Sequence, residues 1–133
     1  MLSLLPQLLA FKLFAIALLR IVAGGYLLYI AWYMADHRAE ISHARLPLIG
    51  HAPEWLVWIA AMIDAIAGGL LVIGAWTQIA AIIAAVGSLK LLVFARHPHP
   101  WNPLSVDAYM LLFIITLALT VLGPGVLAFD LPL

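Results

Sequence analysis

The chain has no cysteine among its 133 residues, which excludes disulfides, thiol relays, thioether-attached haem and cysteine-ligated iron–sulfur clusters. Any redox role needs a bound cofactor or a partner subunit. Charge is almost as scarce: six basic and six acidic side chains cancel, and together they make up 9% of the chain. With no basic field to recommend nucleic acid and no acidic tail to recommend a cationic partner, binding functions driven by net charge drop out. The sequence also lacks a phosphate loop, a nucleophile elbow and a dinucleotide-type glycine pattern.

What is present is apolar. Hydrophobic residues make up 67% of the chain, far outside the range of soluble domains, so the composition predicts a membrane protein with the lipid bilayer as its first partner. The amino terminus does not read as a cleaved signal. Its first base is Lys12, the apolar run behind it is long, and no small-residue cleavage site stands out.

An apolar segment over roughly 13–34 is long enough to cross about 30 Å of hydrocarbon at about 1.5 Å per residue, and three further apolar spans follow at roughly 55–75, 77–95 and 106–122. A polar connection over 35–54 separates the first two, with Pro53 placed to start a helix and Glu54 near its positive end. The second and third are separated only by Gly74-Ala75-Trp76-Thr77-Gln78 and must be antiparallel neighbours, with Thr77 a candidate cap. After the third, Pro98, Pro100 and Pro103 enforce a short stiff loop, because each removes a donor and pushes its predecessor out of helical geometry. Ser105 or Asp107 can cap the fourth span, which stops at Gly123-Pro124-Gly125. The sequence therefore predicts one all-α domain over residues 1–133, an integral membrane antiparallel four-helix bundle.

Alternating spans put loops 35–54 and 96–105 on one face, and all five histidines with them. Arg38, Arg45 and Arg96 on that face against Lys12 on the other favour a cytoplasmic location for those loops. Tyr26, Tyr29, Trp32, Tyr33, Trp55, Trp58 and Trp101 also lie toward it. Such rings form an interfacial aromatic belt, and Tyr29, Trp32, Tyr33 and Trp58 are the candidates for contact with a lipid or a quinone. The histidines fit no metal-ligand template. His97 and His99, which straddle Pro98, are the weak candidates, and no metal site is expected.

Charge inside a span is the sharpest signal, since an ionisable group near the bilayer centre is costly and marks function or pairing. Arg20, Asp64, Lys90 and Asp107 interrupt or begin spans, two of each sign. From the terminal face, Arg20 falls ~10 Å deep, Asp64 ~16 Å and Lys90 ~20 Å, so a neutralising network of these residues is expected, with Asp107 near the loop face. In the first two spans the charge stands four residues before a glycine, Arg20 before Gly24 and Asp64 before Gly68-Gly69. Residues i and i+4 share a helix face, and glycines there let membrane helices approach closely, so Gly24, Gly68 and Gly69 are the expected packing glycines.

From Leu18 to Asp130 the chain resembles the DoxX family of small four-helix membrane proteins of bacteria and archaea. The likeness rests on Leu19-Arg20 with Gly24, the acid before Gly68-Gly69-Leu70-Leu71, Gly74 followed by Thr77 and Ala80-Ala81, and Leu122-Gly123-Pro124-Gly125 with Asp130. The family more often has Glu at Asp64, an Arg at Gln78, and Gly and Lys at Ala31 and Met34. The resemblance implies a multi-pass protein of the bacterial or archaeal cytoplasmic membrane, a small subunit of a redox complex, with other subunits as partners and a quinone as the cofactor to expect. Two other functions fit the same residues: a structural subunit holding neighbouring helices or pigments in a large assembly, and a small-molecule carrier lined by Asp64 and Lys90.

Overall fold

The computed structural model describes residue 8 and residues 11–43, 45–46, 50–51, 53–95 and 104–123. Within them the chain is helical: α1 (Lys12–Asp36), α2 (Arg38–His43), α3 (Glu54–Ile73), α4 (Thr77–Ala95) and α5 (Val106–Leu122). A single antiparallel pair of two-residue strands, β1 (Arg45–Leu46) and β2 (Gly50–His51), sits between α2 and α3, with Arg45 opposite His51.

The helix ends follow from local chemistry. Pro53 holds an extended conformation ahead of α3, and Glu54 in the first turn suits the positive end of the helix dipole. At the other end Gly74 takes φ +81°, and its N–H returns to Leu70 O. That left-handed residue ends α3 at Ile73, two residues before the expected limit of the span, because glycine enters this region without a Cβ penalty. Ser105 caps α5, its hydroxyl oxygen accepting from Ala108 N at 3.3 Å.

The connection between α1 and α3, expected as a polar loop over 35–54, carries structure of its own. α1 runs on to Asp36, and α2 follows after a break at His37, whose N–H bonds to Tyr33 O at 3.0 Å. Ile41, the one large apolar residue of α2, is buried and draws this short helix against α3. Arg38 Nε donates to Glu54 Oε1 at 2.9 Å across the same junction.

α1 packs chiefly on α3, and α4 chiefly on α5, with α3–α4 and α1–α5 contacts closing the assembly. The α1–α3 crossing is very close. A Cβ built on Gly24 would lie 2.7 Å from Gly68 O, and one on Gly68 would lie 2.9 Å from Gly24 O. Each backbone thus occupies the space where the other's side chain would begin. On α4 the buried face is built from small residues, Ala80, Ala81, Ala84, Ala85 and Ser88, which lets α5 approach with Leu112, Thr116 and Leu119. Two buried hydroxyls bond within their own helices: Ser88 donates to Ala84 O at 2.7 Å and Thr116 to Leu112 O at 2.9 Å.

Large apolar side chains cover the outside, among them Trp32, Ile66, Val86, Leu111 and Val121. α1 and α3, of 25 and 20 residues, are long and apolar enough to cross a membrane; α4 and α5 are shorter apolar helices. Two helices of that length and polarity, under an outside of large apolar side chains, suggest association with a membrane.

Candidate functional site

Asp64 lies in the middle of α3, with 1% of its surface exposed. Lys90, five residues before the last residue of α4, reaches it: Nζ lies 3.5 Å from Asp64 Oδ2. The two residues sit at similar heights along neighbouring helices, and the long lysine side chain closes the remaining gap. The contact is an ion pair at a distance beyond that of a good hydrogen bond. Oδ2 has no hydrogen-bond partner among the described residues.

The other carboxylate oxygen depends on a glycine. A Cβ on Gly87 would stand 2.6 Å from Asp64 Oδ1, so the carboxylate occupies the notch that the missing side chain leaves on α4. Gly87 is one helical turn before Lys90, and so lies on the same face of α4. The helix thus offers one position that admits the acid and one that neutralises it.

This pair forms the floor of a groove of about 400 Å³ between α3 and α4. Ile59, Ile63, Ile82, Ile83 and Val86 line it, with Asp64, Gly87 and Lys90 supplying its polar part. The size falls within the range of small-molecule sites, and so does the character, apolar walls with a few polar groups at one place.

The remaining expected residues fall elsewhere. Arg20 is fully buried on α1. Asp107 is exposed in the first turn of α5, where a negative charge suits the helix dipole, while Ser105 provides the cap. Gly24 and Gly68 meet at the α1–α3 crossing, but Gly69 does not belong to it: a Cβ there would meet nothing within 4 Å. Adjacent helical positions point about 100° apart, so only one of the two glycines faces α1.

The aromatic candidates also divide. Trp32 and Trp58 line a shallow groove of about 210 Å³ between α1 and α3, too small for most ligands. Tyr29 stands beside them with its ring centroid 6.4 Å from that of Trp32. Tyr33 instead stacks on His37, centroids 4.1 Å apart. His97, His99 and Trp101 lie outside the described residues. Among the described residues no group of three or more His, Asp or Glu side chains is placed to share a metal ion.

Comparison with family models, curated proteins and solved structures finds no match. The DoxX resemblance therefore rests on the quoted residues alone, and any functional reading has to be carried by the α3–α4 site.

Gly87 was the residue that sequence reasoning missed. The notable pattern was a charge four residues ahead of a glycine, whereas Gly87 precedes its base by three. A glycine one turn from a base within an apolar helix, next to a helix that carries an acid within its own apolar run, is the signal that points to it.

Proposed function

We propose that the chain is an integral membrane antiparallel four-helix bundle that serves as a small subunit of a membrane redox complex, quinone-linked and without a redox centre of its own. The observation that carries the reading is the Asp64–Lys90 pair, 3.5 Å apart within apolar helices. Opposite charges held inside such helices are expensive unless paired, and they characterise functional membrane interiors rather than lipid-facing surfaces.

Contacts along the helices support the antiparallel arrangement. Gly24, midway along α1, meets Gly68 and Val72 in the second half of α3, whereas Trp32 and Ala35, near the end of α1, share a groove with Trp58 near the start of α3. α3 and α4 are joined by the three residues Gly74 to Trp76. Tyr29, Trp32 and Trp58 form an exposed aromatic surface at the interface for a lipid or a quinone.

The redox assignment draws on the DoxX resemblance and on the absence of cysteine, which leaves electron transfer to partner subunits. Purification in a gentle detergent, with identification of co-purifying chains and lipophilic cofactors, tests it. The account expects a stoichiometric redox subunit. Isolation of the chain alone, from membranes whose redox activity survives its deletion, would overturn it.

One observation favours a second reading, a structural subunit of a larger assembly. The exposed apolar surface continues around α1, α3, α4 and α5, as helix-on-helix contact with neighbours requires. Presence in a large complex whose activity is unaffected by deletion selects that reading. Solute flux in liposomes containing only this protein would instead select a carrier.

A further inference from the structure

We propose that the junction of α1, α2 and α3 binds a zwitterionic phospholipid with a primary-amine head group, its phosphate on Arg38, its ammonium on Glu54 and one acyl chain between Trp32 and Trp58. Two adjoining grooves carry this. One, of about 480 Å³, is lined by Arg38, Glu54, Trp55 and Trp58. The other, of about 210 Å³, runs between α1 and α3 from Ala35 and Trp58 to Leu28 and Ala65. Trp58 lines both, so the charged groove adjoins the apolar one. Glu54 begins α3, and Trp58 and Ala65 follow about one and about three turns further in, so polarity falls along the helix. Charges at the helix start, tryptophans beside them and an apolar slot beneath reproduce the polarity of a lipid at the head-group level.

The size of the slot selects the kind of occupant. It falls below the range of sites that enclose a small molecule. Its occupant has to leave most of itself outside, and a lipid does so, because its second chain stays in the bilayer. The head group follows from the charges. Arg38 Nε donates to Glu54 Oε1 at 2.9 Å, and among the described residues this is the one bond of either side chain. Both are about half exposed, 48% and 55%, so the pair can be reached from the groove. An exposed pair of this kind contributes little by itself and gives way readily. A guanidinium grips phosphate oxygens through a planar fork of donors, and an ionised carboxylate only accepts. A phosphate with a primary ammonium beside it answers both, and its charges cancel as theirs do. A choline head brings the cation without an N–H donor; a glycerol head sets a net negative charge beside Glu54; a quinone carbonyl accepts from Arg38 and gives Glu54 nothing.

The inference deepens the lipid reading of this aromatic surface and rests on the helices lying within a bilayer. The test is native mass spectrometry of the full chain released from nanodiscs that hold equal amounts of phosphatidylethanolamine, phosphatidylcholine and phosphatidylglycerol with matched acyl chains. The expected result is one retained phosphatidylethanolamine, preferred on the order of tenfold over each of the others, the scale of one hydrogen bond to a charged group. Glu54→Gln should abolish the preference over phosphatidylcholine, and Arg38→Gln should lower retention of phosphatidylethanolamine on the same scale. Both side chains are exposed, so these variants keep the fold. Ala65→Leu, which fills the slot from a partly buried position, should lower retention of all three lipids.

Equal retention of the three lipids would overturn the proposal and show solvation by the bilayer only, leaving membrane embedding intact. Strongest retention of phosphatidylglycerol would overturn it in favour of an anion site at Arg38. A preference that survives both Arg38→Gln and Glu54→Gln would remove the pair as the head-group site. Displacement of the retained lipid by an equal concentration of a short-chain quinone would overturn it in favour of the quinone. A chain that does not enter nanodiscs overturns the bilayer reading and this proposal with it. Failure to recover a redox partner bears on the proposed complex and changes none of these outcomes.

Discussion

A Cβ atom on Gly87 would stand 2.6 Å from Oδ1 of Asp64, closer than real side chains approach. The carboxylate of α3 is seated in the backbone surface of α4, with Lys90 one helical turn further along. Gly87→Ala should therefore destabilise the protein by about 1–3 kcal/mol, the usual cost of forcing extra volume into a packed site. This runs against helix propensity, which favours Ala over Gly by up to about 1 kcal/mol. Titration with SDS in mixed micelles, followed by tryptophan fluorescence, measures the balance; a stabilised variant would mean that the notch does not hold the acid.

The ion pair predicts strong coupling. Asp64→Asn leaves an uncompensated Lys90, and Lys90→Met leaves a buried carboxylate, so each alone should cost on the order of 3 kcal/mol. The double variant removes both charges and should be less destabilised than the sum of the two by at least about 1 kcal/mol. Additive losses in the same unfolding assay would show that the pair does not act as a unit.

The α1–α3 crossing predicts a contrast between adjacent glycines. Gly24→Ala and Gly68→Ala place a Cβ within 3 Å of the opposing backbone and should each lower stability by about 1–3 kcal/mol. Gly25→Ala and Gly69→Ala meet open space and should be neutral or stabilising by up to about 1 kcal/mol. Equal effects at all four positions would contradict the crossing.

That contrast marks how far the sequence is legible. A charge four residues before a glycine identifies the crowded face of both helices, and it finds Gly24 and Gly68 because i and i+4 spacing is a local property of the helix. Read strictly, the same spacing excludes Gly69, which is five residues after Asp64 and meets nothing within 4 Å, although the doubled glycine makes it look like a packing residue. Counting residues brackets Asp64 in depth between Arg20 and Lys90, and the shared spacing of charge and glycine favours Arg20 as its partner, whereas the structure pairs it with Lys90. Counting does not report that the carboxylate enters α4 at Gly87, which depends on how closely α3 and α4 approach. The limits of α4 and α5 follow from composition, with proline and Ser105 as punctuation. α3 ends earlier than its apolar run because Gly74 turns left-handed. The α2 helix and its strand pair escape a reading based on polarity, since their one buried apolar side chain, Ile41, is too small a signal to show periodicity.

The central claim is that four helices cross a bilayer with Asp64 and Lys90 inside, and the chain's lack of cysteine makes the decisive measurement simple. Ser42→Cys, Trp76→Cys and Ser105→Cys each place a single thiol outside the four long helices, to be labelled from one side of sealed vesicles with a membrane-impermeant maleimide. The account predicts that Ser42→Cys and Ser105→Cys label from one side and Trp76→Cys only from the other. Labelling of all three from the same side would contradict it.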